Sequence, residues 1–151
     1  PAPGGRAPRG SDGVSAAIAA GNGTIGYVEW SYAQVHDLHT ARIANGAGEF
    51  VALTDDAAGR TVASARTTGP GADLQLSIDY TTRAPGAYPI VLVTYEIVCQ
   101  AGTPPAALPL LTSFLTYTAS TAGQDAVVRL GYAPLPGTLR ARVAATVAGL
   151  R

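Results

Sequence analysis

The sequence contains no methionine, one cysteine, one tryptophan and two histidines among its 151 residues. Each shortage excludes something. A lone Cys99 cannot close an internal disulfide, and no metal-ligand spacing surrounds it; its place in the apolar run Ile90–Cys99 predicts a buried thiol. His36 and His39 stand at i, i+3, a spacing that would need a third ligand to hold a metal, and no further histidine exists; they are read as solvated surface residues. Position 1 is proline, so Pro1 is expected to be an internal cut or a processed terminus rather than a start of translation. No charged-then-apolar leader is present, and no apolar run approaches the ~18 residues of a membrane span. Charged residues make up only 13%, ten basic against ten acidic. That balance carries no electrostatic footprint for nucleic acid or an anionic membrane. With 47% hydrophobic residues the chain reads as globular rather than disordered.

Signatures of catalysis are also missing. There is no G-x-S-x-G elbow, phosphate-binding loop or dinucleotide fingerprint. The adjacent Asp55 and Asp56 are explained by a helix start, whose dipole favours acidic residues, without invoking acid–base work. The expectation is a protein that is not an enzyme and that carries no cofactor and no metal.

What the chain does contain is an alternation of helical and strand patterns. Pro1–Gly10 reads as loop, and Ser11-Asp12-Gly13 supplies N-cap chemistry for a helix over Val14–Ala20 that stops at Gly21-Asn22-Gly23. Thr24–Glu29 reads as a strand, Trp30–Leu38 as a helix, Ala41–Ala44 as a short strand and Asn45–Gly48 as a turn. Thr54-Asp55-Asp56 caps a helix running to about Arg66. Leu74, Leu76 and Ile78 alternate as in a strand, and Arg83–Pro89 is loop. Ile90–Val98, nearly continuous in aliphatic residues, is the strongest strand pattern, of the kind covered on both faces. Pro104-Pro105 opens a helix carrying Leu108, Leu111, Phe114 and Leu115, with its start delayed by Pro109. Thr121 and Gln124 form a capping box for a helix toward Leu130. Thr138 caps a last helix bearing Leu139, Val143, Val147 and Leu150 on one face. The order argues an α/β fold, with a boundary near Gly86–Ile90.

Four segments carry a family resemblance. Gly10-Ser11-Asp12-Gly13-Val14 resembles the G-[SN]-[DE]-G-[VI] helix start of the phosphate ABC-transporter substrate-binding proteins, the PstS family. Gly26-Tyr27-Val28-Glu29-Trp30-Ser31-Tyr32-Ala33 resembles that family's G-A-I-G-Y-V-E-[WY]-x-Y-A element. Pro85–Ile90 with Thr94–Cys99 is similar to the actinobacterial branch, and Gly131-Tyr132-Ala133-Pro134-Leu135-Pro136 to its final helix junction. The four keep their order and spacing across essentially the whole chain.

The resemblance implies a partial type II periplasmic-binding-protein fold, in which two α/β lobes close on one anion. Residues 1–87 would be the C-terminal part of the second lobe, and 88–151 the return crossover and the C-terminal part of the first. It implies inorganic phosphate as the ligand of the whole protein, an ABC permease as partner and an extracytoplasmic location, and it leaves room for a lipid anchor upstream of residue 1. It also implies where the ligands are. The family holds phosphate with an Arg-x-x-x-Ser-Gly-Thr segment at a helix N-terminus, joined by Ser/Thr and Asp from the other lobe. Nothing here matches that segment: Arg6 and Arg9 precede Ser11, but Ser11-Asp12-Gly13 is a different element. The main ligand set is therefore expected upstream of Pro1, with Ser11, Asp12, Gly13 and Val14 as cleft-lining candidates. Tyr27 and Trp30 are expected as a packed aromatic pair. Two other readings stand beside this one, a truncated chain without ligand binding and a phosphoester hydrolase on a similar scaffold.

Overall fold

The computed structural model of the protein describes residues 4–151, so the loop expected over Pro1–Pro3 lies outside the described residues. Six helices and two small hairpins follow one another along this part of the chain. Helix α1 (Gly10–Ala19) starts earlier than the residue pattern suggests. Gly10 turns into it at φ 68°, Arg9 stands at the N-cap without a side-chain bond, and Ser11 and Asp12 fall inside the first turn instead of capping it. Helix α2 (Trp30–Val35) is cut short of Leu38. Asp37 takes φ 51°, and Leu38 donates its N–H back to the Ala33 carbonyl at 2.8 Å, a left-handed stop that satisfies a last-turn oxygen.

Strands β1 (Ile43–Ala44) and β2 (Phe50–Val51) pair antiparallel, Ile43 opposite Val51. Helix α3 (Asp55–Ala63) opens as read: Ala57 donates its N–H to Thr54 Oγ1 at 3.1 Å, and Asp55 and Asp56 occupy the positive end of the dipole. It closes before Arg66, because Arg66–Thr67 (β3) leave to pair with Leu76–Ser77 (β4). The sequence reading did not foresee β2 or β3; two-residue ladders are too short to leave a period.

Helices α4 (Leu108–Ala119), α5 (Thr121–Val128) and α6 (Gly137–Ala148) finish the chain, α4 packing on both of the others. Pro109 sits in the first turn of α4, where its missing N–H costs nothing. The cap of α5 is Ser120 rather than Thr121: Gly123 donates its N–H to Ser120 Oγ at 3.0 Å. Gln124 is thereby released for tertiary work. Buried, it donates to the Thr118 carbonyl at 2.8 Å and accepts the Leu135 N–H at 2.6 Å, stitching α4 and α5 to the Pro134–Pro136 segment. Likewise α6 begins after Pro136 with no side-chain cap, and Thr138 lies within its first turn.

The buried apolar cluster is small. Val51, Ala57 and Tyr88 form its centre, with Ile43, Leu53 and Val91 against them. Around it, polar groups fix the loop that leads out of the cluster. Asn45 is buried and makes four bonds: Oδ1 accepts the N–H groups of Ala47 (3.0 Å) and Glu49 (3.1 Å), and Nδ2 donates to the Ala84 carbonyl (3.3 Å) and Glu49 Oε2 (3.2 Å). Glu49 Oε2 also accepts the Gly86 N–H at 2.8 Å. Further on, α3 grips Tyr88 from both sides, its N–H bonding the Ala57 carbonyl at 3.0 Å and its carbonyl accepting Thr61 Oγ1 at 2.6 Å. Burial pushes the Tyr88 phenol pKa up. In the nearby turn, hydrogen bonds from the Thr81 hydroxyl and N–H hold the Asp79 carboxyl below its usual pKa.

Two expected strands are absent as ladders. Thr24–Glu29 and Ile90–Cys99 have no strand partner among the described residues, and no main-chain hydrogen bond to another main-chain group is found within Ile90–Cys99. Composition sets a strand's preference, but a neighbouring strand is needed to realise it, and none lies alongside either segment here.

Candidate functional site

The four cleft candidates lie together in the first two turns of α1. Ser11, Gly13 and Val14 are half-buried and Asp12 is exposed. Pro8 lies over the helix start against Gly13, and Val14 turns inward with Ile18 onto Gly26. Behind them Ser15, fully buried, donates its hydroxyl to the Asp12 carbonyl at 3.0 Å and so fixes the turn. First-turn N–H groups lack intrahelical partners and suit an anion, and the exposed Arg9 beside them adds positive charge. The Asp12 carboxylate occupies the same turn and opposes a second anion there.

Other singled-out residues are placed as follows. His36 caps the end of α2 and His39 lies beyond the left-handed Asp37, so the pair does not share a helix face. Among the described residues no group of three or more His, Cys, Asp or Glu is placed to hold a metal. Asp56 pairs with Arg60 at 2.8 Å in an exposed i, i+4 bridge. Two expectations are corrected. Tyr27 and Trp30 are not a packed pair, since Tyr27 is 92% exposed. Cys99 is exposed rather than buried, because the run that carries it has no sheet to enter. Its thiol is expected to react with a small aromatic disulfide at the rate of an unstructured cysteine peptide; a native thiol more than about tenfold slower would contradict this placement.

Two of the four family-like segments prove to be joints between elements. Helices α1 and α2 pack together, with Gly26 against Val14 and Ile18. Gly131 is buried against α2 at φ 81°, and a Cβ there would stand 2.9 Å from the Cα of Ser31 and collide with the Gln34 side chain. The Gly26–Ala33 and Gly131–Pro136 segments, a hundred residues apart in sequence, therefore meet directly. Sequence order gave no signal for this contact beyond the glycine itself. The neighbouring Pro134–Pro136 faces α3 across a groove of about 470 Å³ lined also by Asp55, Asp56, Gly59 and Arg60. Two carboxylates and a guanidinium already paired make that groove unfavourable for a dianion. A second groove, about 670 Å³, runs along α4 past Thr112, Ser113, Thr116 and Tyr117 and carries no charged group.

The chain matches known proteins over most of its length. The family model described as "PBP superfamily domain" matches residues 2–122. The chain is 42% identical over 146 residues to the phosphate-binding protein PstS 3 of Mycobacterium tuberculosis (strain ATCC 25618 / H37Rv), covering 95% of this chain and 39% of that protein. It is 39% identical over 142 residues to PstS 3 of Mycobacterium leprae (strain TN), covering 92% and 38%. It is 39% identical over 141 residues to PstS 2 of Mycobacterium tuberculosis (strain ATCC 25618 / H37Rv), covering 91% and 38%. The chain thus spans about two-fifths of the length of these relatives. With α-helices, short strands and a family match over most of its length, the chain has an α/β, partial PBP fold and belongs to the PBP superfamily.

Proposed function

We propose that this chain is scaffold from a phosphate-binding protein of the PstS kind, supplying the end of one lobe and the return into the other, and not the principal anion ligands. The observation that carries the proposal is the identity of 42% to a phosphate-binding protein along 95% of the chain. The local chemistry is compatible. Neither groove concentrates free cations or buried donors, and the joints at Gly26–Ala33 and Gly131–Pro136 build architecture rather than a pocket. On this reading the division falls at 87/88, immediately before Tyr88, whose main chain is held by α3. The first turn of α1, from Ser11 to Val14, would form part of the cleft wall, offering backbone donors while ligands outside this chain hold the phosphate. An acceptor among those ligands would select hydrogen phosphate over sulfate, which has no proton to offer it. The protein acts outside the cytoplasm as a binding component that hands phosphate to an ABC permease, and it is not an enzyme.

Calorimetric titration of the chain alone with inorganic phosphate tests this. Heats no larger than dilution up to millimolar phosphate are expected. Saturable micromolar binding would place the anion site within these residues and overturn the assignment of the ligands elsewhere.

A further inference from the structure

Asparagine followed by glycine occurs twice in the chain, at Asn22-Gly23 and Asn45-Gly46. Asparagine is among the chemically labile side chains, and a following glycine makes it more so. The side-chain amide carbon lies within reach of the next main-chain nitrogen, and glycine offers no Cβ to hinder the approach. Two conditions gate the reaction in a folded chain. The nitrogen must be free of a hydrogen bond, and the asparagine side chain must be free to turn onto it.

The structure sets the two pairs apart. Gly46 donates its N–H to the Thr82 carbonyl at 2.8 Å and lies against the Thr81 main chain, where even a Cβ would collide. Asn45 is 5% exposed, and its four hydrogen bonds hold both ends of its amide. Nucleophile and electrophile are both tied up. At Asn22-Gly23 neither is. Both residues are exposed, the Gly23 N–H has no main-chain acceptor, and nothing stands within 4 Å of the place a Gly23 Cβ would take. The turn that presents them is closed by bonds of its own. Gly21 donates its N–H to the Ile18 carbonyl at 3.2 Å, and the Thr24 hydroxyl is shared between the Ile18 and Gly21 carbonyls at 3.0 and 2.9 Å. These bonds pin the chain on either side of Asn22-Gly23 and leave the pair itself unbonded. Its reactivity is therefore a local property of residues 18–24.

We infer that Asn22 is a site of spontaneous modification, at which the chain converts its own asparagine to aspartate and isoaspartate while the fold keeps Asn45 intact. The Gly23 nitrogen gives up its proton to solvent base and attacks Cγ of Asn22, forming a C–N bond. The adduct collapses, the Cγ–Nδ2 bond breaks, and Nδ2 leaves as ammonia with a proton taken from water. Water then opens the five-membered imide at either carbonyl. Opening at Cγ restores the main chain as aspartate. Opening at the main-chain carbonyl routes the chain through the side chain as isoaspartate. In sum an amide and water become a carboxylate and ammonium, with no change of oxidation state. The new carboxylate lies just past the C-terminal end of α1, the negative end of its dipole. Isoaspartate also lengthens the main chain between α1 and Gly26, which packs on Val14 and Ile18. The step goes beyond the function proposed above and needs neither phosphate nor a partner.

The test incubates the chain in warm, mildly alkaline buffer and follows both sites by peptide mass spectrometry, beside synthetic peptides covering 19–27 and 42–49. Asn22 should convert at nearly the rate of its peptide. Asn45 should lag its own peptide by about a hundredfold or more, because it reacts only from an opened state. In unfolding concentrations of urea Asn45 should rise to the rate of its peptide while Asn22 stays where it was. In heavy-oxygen water both aspartate and isoaspartate should form at position 22, each carrying a solvent oxygen. Asn22→Gln, whose longer side chain closes the ring far more slowly, should abolish the mass change at position 22 and leave Asn45 as before. An Asn22 that stays intact while its peptide reacts overturns the inference, as do equal rates at the two sites in native buffer. An Asn45 that remains slow in urea overturns the protective role of the fold. Aspartate without isoaspartate would mean direct hydrolysis and overturn the ring closure onto Gly23.

Discussion

Replacing Gly131 by alanine is expected to lower the stability of the chain by about 3 kcal/mol, the sum of two independent costs. The backbone at φ 81° lies where an L side chain pays roughly 1–2 kcal/mol. The new methyl would also meet the Cα of Ser31 at 2.9 Å and the amide of Gln34, and forcing a methyl into a filled joint costs typically 1–3 kcal/mol. Backbone cannot swing aside as a side chain does, so α2 would have to move off the α5–α6 junction. Urea unfolding followed by circular dichroism reads this as a lower midpoint. Gly137→Ala is the internal control. It opens α6 with nothing within 4 Å of the added methyl, and its midpoint should stay the same or rise slightly. Equal behaviour of the two variants would mean that α2 does not pack against Gly131.

Asn45→Ala is the second large effect, expected at about 2–4 kcal/mol. Truncation deletes two acceptor and two donor bonds of a buried side chain at the base of an exposed turn and leaves the Ala84 carbonyl and the N–H groups of Ala47 and Glu49 without it. Asn45→Asp separates hydrogen bonding from shape. It keeps the acceptor for both N–H groups but loses the donor, and it sets a carboxylate against Glu49, so near neutral pH it should be at least as destabilised as the alanine variant. The sign of its pH dependence follows from the repulsion. Like charge raises the folded-state pKa of this pair above the unfolded value. Relative to wild type, the variant should therefore recover stability as pH falls through that raised folded pKa toward the unfolded value near 4, where a protonated carboxyl can again donate. Wild type has no such dependence at position 45. A variant gap that stays constant between pH 7 and 4 would show that the two side chains do not face one another.

These two positions show what could be read in advance. The turn at Asn45–Gly48 was legible because asparagine and glycine in a cluster have few other uses. That Asn45 also reaches Ala84, thirty-nine residues on, was not, since a side-chain amide carries no mark of its distant partner. The Gly131–Pro136 motif was legible as a junction; its contact with Ser31 and Gln34 was visible only in three dimensions. Caps show the same limit. Thr54 was read correctly because its hydroxyl, its acidic first turn and its helix are all local. Thr121 was displaced by the adjacent Ser120, which competes for the same cap, and Thr138 by Pro136, whose fixed backbone starts α6 with no side-chain cap.

By itself, then, the sequence determined the α/β class, the presence and order of all six helices, and the family, because periodicity, caps and motif order are properties of neighbours along the chain. The positions of the joints, the exposure of Cys99 and Tyr27, and the open edge of Ile90–Val98 were decided only by the tertiary structure. A strand's preference is written in its own side chains, whereas its hydrogen bonds belong equally to another segment. Residues 90–98 have the preference without the partner within this fold, which is why the strongest strand in the sequence forms no ladder in the structure.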